Sequence, residues 1–92
     1  MEQAQQVKYI AVFEPAEEGG YNVSFPEFPG CVTFGSTFEE ARGKAQEVLE
    51  LWLEELTSEG QIIVSRNVRP IFDEVTATVP IGAQVSYATA HR

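Results

Sequence analysis

The chain has 92 residues, the length of one small domain, so a separate second module is excluded. Hydrophobic residues make up 43% of it, including six Phe, three Tyr and one Trp, which excludes a wholly disordered chain. Fourteen acidic and six basic side chains give a net charge of −8, which opposes direct binding to nucleic-acid phosphates.

Three short strands are predicted in the first part of the chain. Residues 1–6 lack apolar periodicity and are expected to be a frayed leader. Residues 7–14 are β-branched and aromatic, with apolar side chains on both faces, which predicts an interior strand. A Pro, acidic and Gly-Gly stretch at 15–20 predicts a hairpin turn. Residues 21–25 alternate strictly, so the second strand should have one buried and one wet face.

A proline-bracketed loop separates the second strand from the third. Pro26 and Pro29 remove two backbone donors, so the ladder should end there. Residues 31–34 form a short β-prone run that Gly35 closes. The order of elements up to this point predicts an antiparallel meander.

A long amphipathic helix is predicted next. Thr37 and Glu40 have the spacing of a capping box, with Ser36 as the alternative cap, and Gly60 stands where a left-handed C-terminal cap is expected. Leu51 lies off the apolar stripe, which consists of Ala41, Ala45, Val48, Leu49, Trp52, Leu53 and Leu56. The opposite face carries Glu39, Gly43, Gln46, Glu47, Glu50 and Glu54.

The last third of the chain predicts one further strand. Residues 74–79 alternate, with Val75, Ala77 and Val79 on one face, and the strand is expected to reach Ile81. The fold class is therefore α+β, in the order β-β-β-α-β. We expect a single domain over 1–92, with a folded unit at 7–81 and a flexible tail at 82–92. Because the core is small, a homo-oligomer, dimer or tetramer, is predicted.

No catalytic constellation stands out. Carboxylates of Glu14, Glu27, Glu39, Glu40 and Asp73 could converge on a divalent metal, but acids this frequent scatter widely by chance, and no metal or other cofactor is predicted. His91 lies one residue from the C-terminus, where nothing holds it beside a nucleophile, so we predict that the protein is not an enzyme.

Three other side chains have competing interpretations. Cys31 is expected to be a small buried apolar residue rather than a reactive thiol, and Trp52 a packing residue rather than a ligand platform. Phe28, between two prolines, either folds back onto the sheet or projects as an anchor for a partner. A lone cysteine, no apolar run near ~18 residues and no signal-peptide pattern predict a cytoplasmic protein without a membrane span.

The run from Tyr21 to Leu53 resembles HicB-type antitoxins, in which a strand ends in a Pro-acid-x-Pro-Gly-Cys turn and a short strand leads into a Thr-x-Glu-Glu-Ala helix start. The matching positions are Pro26, Glu27, Pro29, Gly30, Cys31, Gly35, Thr37, Glu39, Glu40 and Ala41, and the helix continues through Ala45, Leu49 and Leu53. The resemblance implies a partial ribonuclease-H-like fold without catalytic acids. It also implies a HicA-type ribonuclease toxin as partner. Complete antitoxins commonly add a C-terminal DNA-binding segment, whereas this chain has about a dozen residues after the last predicted strand, so direct DNA binding is not expected.

On this interpretation, an acidic domain would cover the cationic cleft of a basic RNA-cleaving protein. The predicted partner-binding residues are Glu27, Phe28, Glu39, Glu47, Glu50 and Glu54. Two alternatives stay open: a solitary self-assembling HicB-like domain, and a metal-dependent ribonuclease-H-like nuclease.

Overall fold

A computed structural model describes residues 5–65 and 70–87. The fold is α+β, as predicted: a three-stranded antiparallel sheet in the order β1-β2-β3, with one long helix packed on one face. The elements are β1 (Val12–Pro15), β2 (Tyr21–Ser24), β3 (Val32–Gly35) and α1 (Phe38–Ser58).

The core lies between the helix and the inner face of the sheet. Strand register places Val23 between Phe13 and Thr33. The buried side chains here are small or aromatic, namely Val23, Phe25, Cys31, Ala41 and Ala45. Two alanines on the helix let its backbone approach the sheet closely, and larger residues of the predicted stripe, Val48, Leu49 and Trp52, pack around them. Leu51 is exposed, as its position off the stripe predicted.

The hairpin between β1 and β2 forms where it was predicted. The Ala16 N–H donates to the Gly20 carbonyl at 2.9 Å, and the Gly19 N–H donates to the Ala16 carbonyl at 3.0 Å. Gly19 and Gly20 have φ of 99° and 80°, in the left-handed region where a side chain is strained. The Gly pair therefore allows the tight reversal.

The prediction for the first strand was wrong in two respects. The strand is shorter than residues 7–14, because hydrogen-bonded pairing begins at Val12, which stands opposite Ser24. It is also an edge strand and not an interior one, since its only neighbour among the described residues is β2. Apolar side chains on both faces indicate that both faces of a strand are packed against other side chains. They do not indicate that a second strand is hydrogen-bonded along its other edge.

The predicted fourth strand is not formed. Residues 74–79 have no strand pairing, and every described residue in 70–87 is exposed. Alternation is a property of the side chains alone, whereas a strand also needs a backbone partner for its N–H and C=O groups. The further strand of the β-β-β-α-β order is thus absent from the described residues, and the ribonuclease-H-like relationship stays a prediction.

The helix begins and ends at its predicted caps. The Thr37 side chain accepts from the Glu40 N–H at 3.0 Å, and Glu40 in return accepts from the Ser36 N–H at 2.6 Å, one residue earlier than a standard capping box. Gly60 has φ of 78°, and its N–H donates to the Thr57 carbonyl at 3.0 Å.

Replacing Thr37 with alanine is expected to destabilise the protein by about 1 kcal/mol, because the Glu40 N–H loses its acceptor. Urea unfolding followed by circular dichroism measures this loss. Thr37→Ser keeps a hydroxyl at the cap and is the matched control, expected near wild type. Equal losses for both variants would show that the hydroxyl does not cap the helix.

Candidate protein-binding surface

An acidic stripe runs along the outer face of α1. It consists of Glu39, Glu47, Glu50 and Glu54, all exposed. The positions follow from helix geometry, because at 3.6 residues per turn all four fall within about 80° of arc. The apolar stripe packs against the sheet. Because the four acids lie on the opposite side of the helix, they face solvent. The structure therefore brings together the four predicted helix residues on one surface.

Little in the fold neutralises the acidic stripe. Glu50 accepts from the Gln46 side-chain amide at 3.1 Å, an uncharged donor. Across residues 5–65 and 70–87, no Lys or Arg forms an ion pair with any of the four carboxylates. The charge is thus available to a cationic partner at distances up to about 8 Å at physiological ionic strength.

Some of this acidity works against the stability of the helix. The last turn of α1 contains no basic residue, while Glu54 and Glu55 lie close to its C-terminal end. Negative charge near a helix C-terminus opposes the macrodipole and costs about 0.3 to 1 kcal/mol per residue. Helix stability therefore does not explain the acids at this end.

The second predicted site is the proline loop, residues 26–30. The loop is built from two successive tight turns, in which the Phe28 N–H donates to the Phe25 carbonyl at 2.9 Å and the Cys31 N–H donates to the Phe28 carbonyl at 3.0 Å. Glu27 is exposed on the first turn. Phe28 is half-buried, with its ring 4.9 Å from that of Tyr9 and 6.0 Å from that of Trp52. Of the two alternatives for Phe28, the structure shows the ring folded back.

The two predicted sites lie on different faces. Phe28 contacts Trp52, which is two residues from Glu50 in the helix and hence about 160° around it. One rigid partner surface therefore cannot contact the proline loop and the centre of the acidic stripe at the same time. The helix and the loop are therefore separate candidate surfaces.

Tyr9 supports the proline loop, a role the sequence did not reveal. Its hydroxyl donates to the Val64 carbonyl, tying the start of the sheet to the chain beyond the helix. Burial raises the pKa of Tyr9, and the negative charge of Glu27 raises it further. The hydroxyl consequently keeps its proton and its role as donor. Periodicity assigned Tyr9 to a strand face, but contains no signal for a contact 55 residues away.

Cys31 is a packing residue, as predicted. Its side chain is 1% exposed and lies in the core cluster, with the sulfur 3.9 Å from the Val48 carbonyl. Burial raises the pKa of the Cys31 thiol, which disfavours the reactive thiolate. Trp52 likewise packs against the core, in agreement with its predicted role.

The acids proposed for a metal site do not converge. Within the described residues, no three His, Cys, Asp or Glu side chains form a group able to hold a metal ion. His91 lies outside the described residues. No described helix is long and apolar enough to cross a membrane.

Comparison with known proteins identifies similar chains. Residues 9–78 match a family model described as the HicB-like antitoxin of bacterial toxin–antitoxin systems. A UPF0150 protein of Synechocystis is 35% identical over 69 residues, covering 73% of this chain and 87% of that protein. A UPF0150 protein of Thermoplasma acidophilum is 32% identical over 65 residues, covering 71% and 94%.

A named antitoxin is similar over a shorter stretch. Antitoxin HicB 1 of Photorhabdus laumondii is 47% identical over 45 residues, which cover 49% of this chain and 29% of that protein. The chain thus spans less than a third of the length of this relative.

Proposed function

We propose, from the premise that this chain belongs to the HicB-like antitoxin family of bacterial toxin–antitoxin systems, that it binds and neutralises a small basic HicA-type ribonuclease toxin. Membership of an antitoxin family implies a toxin as partner. The mechanism we propose is masking, in which the acidic domain occupies the cationic surface that RNA would otherwise reach. The chain performs no bond-making in this mechanism.

The observation that carries the proposal is the exposed acidic stripe, whose carboxylates make no ion pair with a Lys or Arg of the described residues. A ribonuclease must bind a polyanion and so presents positive charge around its cleft. Carboxylates held on a rigid helix can meet that charge without first breaking an ion pair to any basic residue that the structure describes. Complementary charge also raises the association rate, by about 10-fold to 1,000-fold at low salt.

The same charge argument limits the other partners. A net charge of −8 opposes the approach of DNA phosphates, so direct operator binding is not part of the proposal. Because a ribonuclease toxin meets its RNA in the cytoplasm, we place the action of this chain there.

Reversing Glu47, Glu50 and Glu54 to Lys is expected to lower the association rate constant for the toxin by about tenfold or more at low salt, and less at high salt. The test uses the HicA-type product encoded beside the gene for this chain, with binding followed by surface plasmon resonance and protection of RNA by a cleavage assay.

A control with the same change in charge separates location from net charge. Glu14, Glu17 and Glu18 are exposed at the β1–β2 hairpin and do not belong to the acidic stripe, so their reversal to Lys is expected to change binding much less. Equal effects of the two triple variants would remove the acidic stripe from the interface. Unchanged binding of both at low salt would overturn the charge mechanism, and failure of any basic partner to copurify would overturn toxin neutralisation.

The nuclease alternative has a separate test. Calorimetric titration with Mg²⁺ and Mn²⁺ and an RNA-cleavage assay on the purified chain are expected to show millimolar or weaker affinity and no cleavage, because the described carboxylates do not cluster. Metal-dependent cleavage by the chain alone would replace masking with catalysis.

A further inference from the structure

A glycine interrupts the acidic stripe inside the helix. Gly43 lies in the second turn of α1 and is exposed. Glycine is less favourable in a helix interior than every residue except proline, because its backbone loses the most freedom on ordering. The backbone at this position does not require glycine, since Gly43 is not among the glycines with positive φ. The reason for a glycine here must therefore lie in the space that it leaves open.

Packing within the chain does not use that space. A Cβ added at position 43 would have no side-chain atom of the described residues within 4 Å. Gly35 shows the opposite situation, because its added Cβ would lie 2.3 Å from the Ala41 nitrogen. The close approach of helix and sheet thus explains Gly35 but not Gly43. At Gly43 the helix backbone is open to another molecule.

Carboxylates border this open surface, which we call the Gly43 gap. Glu39 and Glu47 are four residues before and after Gly43, each about 6 Å away along the helix axis. The Cα–Cβ bonds of a helix tilt toward its N-terminus, so that of Glu47 is directed toward the gap. Gln46 could also cover the gap, but its amide donates to Glu50 in the next turn at 3.1 Å. The gap is therefore bare in the middle and acidic at both ends.

The charge at the Gly43 gap is available to a cation from outside. Across the part of the chain that the structure describes, neither Glu39 nor Glu47 forms an ion pair with a Lys or Arg. Arg42 and Lys44 adjoin Gly43 in the sequence, but each projects about 100° away from it around the helix. A cationic side chain of a partner can thus reach both carboxylates without displacing a described basic residue.

We propose that the Gly43 gap receives an arginine side chain of the basic toxin. The inference rests on the proposed function, because it names the contact through which the acidic stripe would recognise its partner. A guanidinium is flat and holds five N–H donors in one plane, so it can lie on bare helix backbone and donate to carboxylates at its edges. An ammonium is a compact point charge and gains less from a cleared surface.

This contact and the charge of the whole stripe act on different rate constants. Long-range attraction between opposite charges raises the association rate constant. A short-range contact forms after the two proteins have met, and its loss mainly raises the dissociation rate constant. A neutral side chain at position 43 would fill the gap while every carboxylate stays in place. The two effects can therefore be measured separately.

Gly43→Gln is expected to raise the dissociation rate constant of the toxin complex by about tenfold or more, with the association rate constant and its salt dependence unchanged. Surface plasmon resonance of the full chain with the HicA-type toxin measures these quantities. Gly43→Ala adds only a methyl group and is expected to have a smaller effect in the same direction. Both replacements favour the helix, so binding should weaken while resistance to urea increases, which a folding defect would not produce.

Leu51→Gln is the matched control. It introduces the same neutral side chain at a position of α1 that is 63% exposed, and it does not fill the gap. Its binding kinetics are expected to stay close to those of the wild type. An equal rise in dissociation for Leu51→Gln, or wild-type kinetics for Gly43→Gln, would refute the gap as the contact while leaving toxin binding intact. A wild-type chain that does not bind the toxin would refute the proposed function, and this inference with it.

Substitutions in the toxin identify the side chain that enters the gap. Each exposed arginine of the toxin is changed to lysine, which keeps the charge and removes the planar group. One of these changes is expected to raise the dissociation rate constant by itself and to add little when combined with Gly43→Gln, because both remove the same contact. Full additivity at every arginine would show that no arginine occupies the gap.

Discussion

Replacing Gly35 with alanine is expected to destabilise the protein by about 4 kcal/mol or more. A Cβ at Gly35 would lie 2.3 Å from the Ala41 backbone nitrogen and 2.4 Å from its Cα. These are backbone atoms of the first helical turns, so no side chain can move aside. The helix would have to lift from β3 and leave the core of Val23 and Ala41 open.

The matched control is a glycine on α1, the helix that an added Cβ at Gly35 would meet. Space around this glycine is free. Gly43 has nothing within 4 Å of the Cβ position, so Gly43→Ala is expected to stabilise the protein by about 1 kcal/mol through helix propensity. Urea unfolding of the two variants gives both free energies. A loss below about 1 kcal/mol for Gly35→Ala would mean that the helix does not rest on the end of β3.

Local chemistry made the turns and caps predictable. A Gly pair after two acids, a Thr three residues before a Glu, and a Gly after the last apolar residue each act through atoms a few positions away. For the same reason Ala41 and Ala45 were placed correctly in the core, because a helix determines which side chains share a face. What the sequence predicted best is what depends on neighbours along the chain.

Strand pairing was less predictable, because it depends on partners elsewhere. Residues 7–11 and 74–79 have as much strand character as β2, yet neither is paired in the described structure. Side-chain alternation cannot show whether an edge is available.

In the candidate site too, the features set by neighbours along the chain were predictable, and those set by distant residues were not. Helix spacing was enough to place the acidic stripe on one exposed face. It was not enough to decide between the two orientations of Phe28, because that choice depends on Tyr9 and Trp52, which come from different elements. Contact of either surface with a toxin depends on the shape of another protein and stays a prediction.

Replacing Phe25 with alanine is expected to cost about 3 to 4 kcal/mol, because its ring is 4% exposed and belongs to the core cluster with Val23 and Cys31. Few large residues are buried in this small core, so neighbouring side chains cannot close the cavity. For a domain of this size the melting temperature should fall by at least about 12 °C.

Val32→Ala is the matched control for this cavity. Val32 is 58% exposed on the outer face of the sheet, where removing two methyl groups leaves no enclosed space, so the expected loss is below about 1 kcal/mol. Calorimetry of both variants gives the comparison. A similar fall in melting temperature for the two would place Phe25 outside the core. A large loss for Phe25→Ala alone would show that the residue between β2 and the proline loop holds helix and sheet together and so keeps the acidic stripe on a rigid support.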